Sequence, residues 1–263
     1  MENKKVAIVL SCFGSAIDLQ SYEAFRAHMG ENFQTIPIFI AYTSNIVIKK
    51  LRSAGLAANV KHLKQVLSEV ESAGFQHIIV SSVYLFPTEE HERVKETVDA
   101  FAHLTSSKAK YYVTDSILNA VEDLHAFVSD ICHPEHQQEA QLFITHGFFR
   151  LDLRGASSYF YLKDILERLS PNNIFASLEG PYAYSLQKEF IINSCRIRNL
   201  LEVKIVPLLL VSGHHLVSDI REIATELEAE GLKVKIVEKN LLSMPIVLAI
   251  LKAQLEKHLE DIQ

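Results

Sequence analysis

Histidine and glutamate side chains stand directly after three apolar runs in the second half of the chain. His146 follows "LFIT", Glu179 follows "IFASL", and His214 and His215 follow "VPLLLVSG". Two imidazoles and one carboxylate are suitable ligands for divalent cobalt, nickel, iron or zinc, and three protein ligands leave coordination positions open for an incoming group. If the three runs are neighbouring strands, rigid strand ends hold these side chains at fixed separations. His146, Glu179 and one of the two adjacent histidines, His214 or His215, are therefore our candidate metal ligands.

Each of these residues also has a simpler explanation. A lone histidine at a strand end is more often a hydrogen-bonded structural group than a ligand, and a glutamate before Gly-Pro, as Glu179 is, usually belongs to a turn. His214 fits either an extra base beside the ligands or an ordinary polar position. The recurrence of ligand-type residues at three equivalent positions is what favours a shared site.

The first half of the chain has an acidic segment after its own third apolar run. In "FPTEEHE", Thr88 precedes Glu89, Glu90 and Glu92. Such residues after a strand commonly cap and charge the first turn of the next helix, and we expect this of Thr88, Glu90 and Glu92. A carboxylate that faces a cleft can also attract a cation or accept protons, and we predict this catalytic role for Glu89.

The order of elements that must position these residues is that of an α/β protein. Short β-branched runs alternate with longer segments of helical period, which predicts βα units around open parallel sheets. The polar segment "HPEHQQEA", residues 133–140, separates two such series. We expect an N-terminal half over 1–135, a C-terminal half over 136–243 that carries the metal ligands, and a helix over 244–263 that packs back on the N-terminal half. Ligands bind beyond the carboxyl ends of parallel strands, so we expect the site there. Two such halves that face one another would form a cleft between them.

Composition and missing motifs argue against several classes of partner. The 263 residues carry a formal net charge of −6 without a basic patch, which argues against nucleic acid. The segment "SCFGS" lacks the glycine patterns of nucleotide-binding loops, so no nucleotide cofactor is expected. No apolar run is long enough to span a membrane. Cys12, Cys132 and Cys195 form no CxxC pair, and the apolar run 6–10 is too short for a signal peptide, so we expect a cytoplasmic protein.

Taken together, these segments resemble a known family: the anaerobic cobaltochelatases of cobalamin biosynthesis, within the class II chelatases that include ferrochelatase. The resemblance covers nearly the whole chain and rests on "FGS", "AYTSNIVIKKL", "FPTEEHE", "THG", "LEGPY" and "PLLLVSGHHLVSDI". The last segment is the most specific, because the family run typically reads Pro-Leu-x-Leu-Val-x-Gly-Asp-His-x-x-x-Asp. His215 matches the metal-binding histidine of that run, His214 takes the place of its aspartate, and Asp219 falls on its later acid.

The resemblance implies two flavodoxin-like, chelatase-like halves with a tetrapyrrole cleft between them. It also implies that a divalent metal, Co²⁺ above all, is inserted into sirohydrochlorin without ATP, so that the metal and the tetrapyrrole are both substrates. By this analogy His146 is metal ligand and proton acceptor, Glu179 and His215 are the other ligands, and Glu89 is an acidic group on the opposite wall.

Some positions of the macrocycle pocket depart from the family pattern. The resemblance places four residues in this pocket: Phe13, Gly14, Tyr84 and Arg150. The family motif reads Gly-His-Gly-x-x-His, whereas this chain has Thr145 at the first position of the motif and Arg150 at the last. Tyr84 stands where a histidine is usual, Thr88 replaces a glycine, and Asn45 stands where an arginine is common.

Several alternatives remain open at this point. A chelatase for iron, nickel or another porphyrinoid would use the same ligands, and the altered pocket also suits a non-catalytic tetrapyrrole or metal carrier. A periplasmic-type binding protein fits the two-lobed layout but not the missing export signal. Arg150 and Arg154 suit either the carboxylates of the substrate rim or a solvated surface. The long C-terminal helix suits packing within the chain or against a second copy, so a homo-oligomer is also open.

Overall fold

Helices and parallel strands alternate along the chain in a computed structural model. The structure describes residues 5–56, 60–104, 108–132, 139–211, 214–238 and 240–262. The side chains of residues 214–217 are not among the described ones. The strands are β1 Val6–Cys12, β2 Ile38–Tyr42, β3 His77–Val83, β4 Lys110–Val113, β5 Ala140–Thr145, β6 Asn173–Ser177, β7 Glu202–Pro207 and β8 Lys233–Ile236. The helices are α1 Leu19–Asn32, α2 Asn45–Ser53, α3 Leu63–Ser72, α4 Glu89–Ala102, α5 Val121–Ile131, α6 Gly155–Leu169, α7 Tyr184–Ile197, α8 His214–Ala229 and α9 Pro245–Ile262.

The described strands form two four-stranded parallel sheets, in the orders β2-β1-β3-β4 and β6-β5-β7-β8. The chain divides into two compact units: one runs up to Asn119 and also includes the segment from Leu242, and the other is Ala120–Leu241. Each unit contains one of the sheets. This arrangement confirms the predicted α/β class with two open parallel sheets.

The first boundary between the units lies earlier than the expected position at residue 135. Helix α5 packs against α6 of the second unit, where His125 Nε2 lies 3.0 Å from the Tyr161 hydroxyl. Helix α9 packs against β3 of the first unit, and Gln254 Nε2 donates a hydrogen bond to the Ser116 carbonyl at 3.1 Å. Residues 133–138 of the expected junction lie outside the described part of the chain.

Both faces of each central strand are covered by helices, which is why these strands read as continuous apolar runs. In β1, Ala7 and Val9 belong to a buried cluster with residues of α3 and α4. In β5, Leu142 and Ile144 belong to the corresponding cluster with α7 and α8. Among the described helices, none combines the length and apolar character needed to cross a lipid bilayer.

The two sheets repeat one plan around their central strand. β1 pairs with β2 on one side and β3 on the other, and β5 pairs in the same way with β6 and β7. The chain therefore leaves the central strand toward one neighbour and later returns on the other side. In open parallel sheets, ligands bind at such a switch point beyond the carboxyl ends of the strands. His146, Glu179 and the start of α8 lie at this edge of the second sheet.

Candidate metal-binding site

His146 and Glu179 come together at the carboxyl edge of the second sheet. His146 Nδ1 lies 3.2 Å from Glu179 Oε1, and the two side chains are 64% and 37% exposed. A metal ion about 2.0–2.2 Å from each donor atom, at octahedral to tetrahedral angles, places the nitrogen and the oxygen about 2.8–3.6 Å apart. These two atoms can therefore bind one ion with little movement, and their exposure leaves room for it.

The pair is held by an extension of the strand ladder beyond the ends of β5 and β6. Thr145 and Ser177 are the last paired residues. Beyond them, the Leu178 amide donates to the Thr145 carbonyl at 2.9 Å, and the Glu179 amide donates to the His146 carbonyl at 3.0 Å. The backbones of both residues are thus held by strand-like pairing.

Two glycines allow the backbones of these loops to approach closely. Gly147 has φ +90°, and a Cβ there would lie 1.9 Å from the Glu179 carbonyl oxygen. Gly180 has φ +82°, and a Cβ there would lie 2.1 Å from the Phe148 carbonyl oxygen. No side chain fits at either place without moving backbone. The glycines of "THG" and "LEGPY" are therefore required by the geometry of the site.

The third predicted ligand, His215, lies outside the described side chains. Helix α8 begins at His214, so the backbone places His214 and His215 in its first turn. The preceding strand β7 runs beside β5, and the Leu208 amide donates to the Ile144 carbonyl at 2.7 Å. Among the residues whose side chains are described, no group of three or more histidine, cysteine, aspartate or glutamate side chains is placed to hold a metal. The role of His215 stays a prediction.

The acidic segment of the first unit opens helix α4. Glu89 is the first residue of α4 and is half-buried, and Glu90 and Glu92 also lie in its first turn, where the helix dipole favours negative charge. Glu90 pairs with Arg93 at 2.7 Å. Thr88 occupies the predicted N-cap position, but its side chain makes no capping hydrogen bond.

The predicted pocket residues of the first unit differ in exposure. Phe13 is 45% exposed, and Gly14 next to it has φ +100°. Tyr84 is buried, and its hydroxyl lies 2.5 Å from Thr43 Oγ1. Burial raises the pKa of Tyr84 far above its ordinary value. Cys12 beneath Phe13 is fully buried as well, and burial raises the pKa of its thiol, which keeps it protonated and unreactive.

The loop after His146 carries a charged residue between two exposed apolar ones. Arg150 donates two hydrogen bonds to Asp152, at 3.2 and 2.7 Å, and this guanidinium lowers the pKa of the Asp152 carboxyl. Phe149 and Leu151 are 72% and 58% exposed. Our sequence analysis missed these two residues, although large apolar side chains alternating with arginines in "HGFFRLDLR" are a readable signal of a binding surface.

The extension of the strand ladder beyond the strand ends, which we call the backbone frame, also exists in the first unit, where it carries different side chains. There the Thr43 amide donates to the Cys12 carbonyl at 2.9 Å and the Ser44 amide to the Phe13 carbonyl at 3.2 Å. Phe13 thus takes the position of His146, and Ser44 takes that of Glu179. The predicted ligand pair belongs to one copy of a repeated frame, and the other copy presents an aromatic ring.

Comparisons with known proteins agree with this architecture. A relative described as sirohydrochlorin cobaltochelatase, from Salmonella typhimurium, is 22% identical over 186 residues, which are 69% of this chain and 66% of that protein. This chain thus spans slightly less than two thirds of the curated relative. SirB from Bacillus subtilis with Fe³⁺ has a TM-score of 0.63 at 16% identity, over 96% of this chain and 95% of that one.

A second solved structure, the sirohydrochlorin chelatase SirB from Bacillus subtilis subspecies spizizenii in complex with cobalt, has a TM-score of 0.63 at 14% identity and covers 98% and 96% of the two chains. At such identities the solved structures establish the fold alone. The family model described as cobalt chelatase (CbiK) matches residues 6–260, which is nearly the whole sequence. The chain therefore belongs to the cobalt chelatase (CbiK) family.

Proposed function

We propose that this protein inserts Co²⁺ into sirohydrochlorin without ATP, as a step of anaerobic cobalamin synthesis. The observation that supports this best is the 3.2 Å pair of an imidazole nitrogen and a carboxylate oxygen at the carboxyl edge of the second sheet. Membership of the cobalt chelatase family gives the reaction class. A relative and a solved neighbour that are both described as acting on sirohydrochlorin support the choice of substrate.

Metal insertion requires that a hydrated cation exchange its water for pyrrole nitrogens. In our proposal His146 and Glu179 bind the incoming ion, and His215 from the first turn of α8 is the third ligand. Three protein ligands leave coordination positions free, as a transfer reaction requires. The ion is a substrate of the protein and leaves with the macrocycle.

Two inner N–H protons of the macrocycle must also be removed. An imidazole can serve as a proton acceptor, and His146 is exposed enough to pass a proton to water. We propose that the ring nitrogen of His146 that is released when the ion passes to the macrocycle accepts one pyrrole proton, and that Glu89, at the start of α4, accepts the second. The Glu89 carboxylate is half-buried rather than fully solvated, which suits a group that takes part in such a transfer.

Recognition of the macrocycle combines apolar contact with charge. Phe13 in the first unit and Phe149 and Leu151 in the second are exposed apolar side chains beside the strand ends, and they suit the face of a flat ring. Sirohydrochlorin carries many carboxylates around its rim. In our proposal these carboxylates compete with Asp152 for the guanidinium of Arg150, which suits bidentate binding of such groups.

The proposal is tested by turnover. Purified protein, Co²⁺ and sirohydrochlorin under anaerobic conditions are expected to give the shifted absorption spectrum of the metallated ring over many turnovers. His146→Ala and His215→Ala are each expected to lower this rate at least about 100-fold, as loss of a reacting group does. His28→Ala, which removes an exposed histidine of α1, is the control and is expected to keep the wild-type rate.

Three outcomes would contradict the proposal. Wild-type rates in His146→Ala would remove the proposed metal site. Stoichiometric binding without turnover would favour a carrier. A faster reaction with Fe²⁺ or Ni²⁺ than with Co²⁺, measured side by side, would change the metal assigned to the protein.

A further inference from the structure

A row of hydroxyl groups lies directly beneath the His146–Glu179 pair. Tyr159 of α6 is fully buried, and its hydroxyl accepts a hydrogen bond from Thr145 Oγ1 at 3.2 Å. The same hydroxyl is hydrogen-bonded to the side chain of Ser177. Ser177 Oγ in turn donates to the Glu179 carbonyl at 2.7 Å.

The donors and acceptors of this row fit one direction only. Ser177 gives its proton to the Glu179 carbonyl and Thr145 gives its proton to Tyr159, so the Tyr159 proton is the one left for Ser177. The row therefore runs from Thr145 through Tyr159 and Ser177 to the backbone of Glu179. Consecutive hydrogen bonds of this kind polarise one another in a buried setting.

Tyr159 thereby ties together the ends of the two strands that carry the pair. Thr145 immediately precedes His146, and Ser177 lies two residues before Glu179. The Tyr159 ring is itself fixed by edge contacts with neighbouring aromatic rings, whose centroids lie 4.9 to 5.0 Å away: Phe148 and Phe175. Water cannot take the place of a fully buried hydroxyl. Removal of the Tyr159 hydroxyl therefore removes the group that links the side chains of Thr145 and Ser177.

The first unit offers an internal comparison. Tyr22 of α1 is also buried beneath the corresponding strand ends and packs edge-on against Tyr42 at 5.8 Å, where Tyr42 takes the position of Ser177. The Tyr22 hydroxyl is hydrogen-bonded by the backbone of Gly14. Cys12 replaces Thr145 in this unit, so the row of side-chain hydroxyls is not repeated there. A buried tyrosine supports both frames, but only that of the second unit is linked to the predicted ligands.

We propose that Tyr159 is a positioning residue of the metal site, which acts through Ser177 and the Glu179 carbonyl to set the separation of His146 and Glu179. The inference rests on the proposed function, because it takes this pair to be metal ligands. Because Tyr159 is fully buried, the proposal gives it no contact with the ion or the macrocycle. Its effect is on the geometry with which the ligands meet the ion.

The test compares Tyr159→Phe with the matched variant Tyr22→Phe, each made in the whole 263-residue chain. The first measurement is made without metal: the ¹⁵N chemical shifts of the His146 ring, assigned with His146→Ala, report its contact with Glu179. The second is the dissociation constant for Co²⁺ alone, from its visible absorption. Tyr159→Phe is expected to change the His146 ring shifts and to weaken Co²⁺ binding about 10-fold, as loss of a group that orients a ligand does. Tyr22→Phe is expected to stay within about twofold of the wild type.

Each other outcome has a definite meaning. Unchanged ring shifts and unchanged Co²⁺ affinity in a folded Tyr159→Phe overturn the proposal, as does an equal loss in Tyr22→Phe, which would reveal a general packing effect. If Tyr159→Phe does not fold, Ser177→Ala breaks the row at its next bond and carries the same expectation. If His146→Ala binds Co²⁺ as tightly as the wild type, the proposed metal site fails, and the metal-free ring shifts still decide the positioning role.

Discussion

At the scale of single residues, the candidate site depends on which polar side chains remain accessible. His146 and Glu179 are partly exposed and face one another, whereas Tyr84 is buried with its hydroxyl against Thr43. The pairing of the first two was predictable, because each follows a strand of one parallel sheet and neighbouring strands end at the same edge. The role of Tyr159 was not predictable from the sequence, because no local pattern shows which strand ends a tyrosine in a helix contacts.

One prediction concerns the charge of Arg150, which is paired with Asp152 in the absence of substrate. Asp152→Asn removes the negative charge that competes with substrate carboxylates for this guanidinium. Because exposed ion pairs are weak, we expect the KM for sirohydrochlorin to fall only about threefold, with kcat unchanged. Steady-state kinetics at low and high salt measure this, and the difference should shrink at high salt. A raised KM in Asp152→Asn would show that Asp152 contributes to binding.

A second prediction concerns pH. His91 of α4 is buried against Ser82 Oγ at 2.7 Å, and burial lowers the pKa of His91 below its ordinary value of 6.5. The folded protein therefore favours the neutral ring. The resulting stability is present above pH 6.5 and is lost as the pH falls through the lowered pKa, since the unfolded chain takes up the proton more readily.

This second prediction is measured by urea unfolding at pH 7.5 and pH 5.5. His91→Gln is expected to lose less free energy of unfolding between these pH values than the wild type does. His103→Gln, which changes an exposed histidine at the end of the same helix, is the control and should behave like the wild type. Equal losses in all three proteins would show that His91 is not the titrating group.

At the scale of elements, the candidate site is positioned by the ends of the strands rather than by the helices between them. Hydrophobic period sufficed to predict alternating strands and helices, because both faces of each sheet are covered. Period alone does not reveal which sheet a helix covers. Helix α5 was therefore assigned to the first half, whereas it packs on α6. The repeated frame was also hidden in the sequence, because Phe13 and His146 share no chemistry although their backbones correspond.

The third prediction tests the close approach of the two loops. Gly147→Ala adds a methyl group that would lie 1.9 Å from the Glu179 carbonyl oxygen, so the loops must separate. We expect chelatase activity and Co²⁺ binding to be lost. Gly55→Ala is the matched control, because Gly55 also has a positive φ, at +83°, but nothing lies within 4 Å of the added Cβ.

Gly55→Ala should therefore show only backbone strain of about 1 kcal/mol in the free energy of unfolding, with full activity. Thermal unfolding and a Co²⁺ titration distinguish the two variants. If both lose the same stability and both remain active, the contact between the loops has no functional role.

At the scale of the whole molecule, the two units differ in how the chain builds them. The second unit is continuous over Ala120–Leu241 and contains His146, Glu179 and the helix that begins at His214. The first unit is assembled from two separate segments, because α9 belongs to it. Three residues of α9 are almost fully removed from solvent, which makes this helix part of the core: Val247, Leu251 and Leu255.

The fourth prediction separates the units. A fragment of residues 120–241 is expected to fold cooperatively and to bind Co²⁺, but not to metallate sirohydrochlorin, since Phe13 and Glu89 are missing from it. A fragment that ends at residue 119 is expected to remain unfolded, because it lacks the apolar face of α9. Circular dichroism with urea titration and a Co²⁺ titration measure both expectations. A folded 1–119 fragment would show that α9 is dispensable.

The split of the first unit also has a consequence for biosynthesis. A ribosome makes β1 through β4 first, but the helix that closes this sheet is made only after all of the second unit. Domains generally fold as units while they emerge. We therefore expect the second unit to reach its native state first on the ribosome, while the apolar face of the first sheet stays uncovered until α9 has been made.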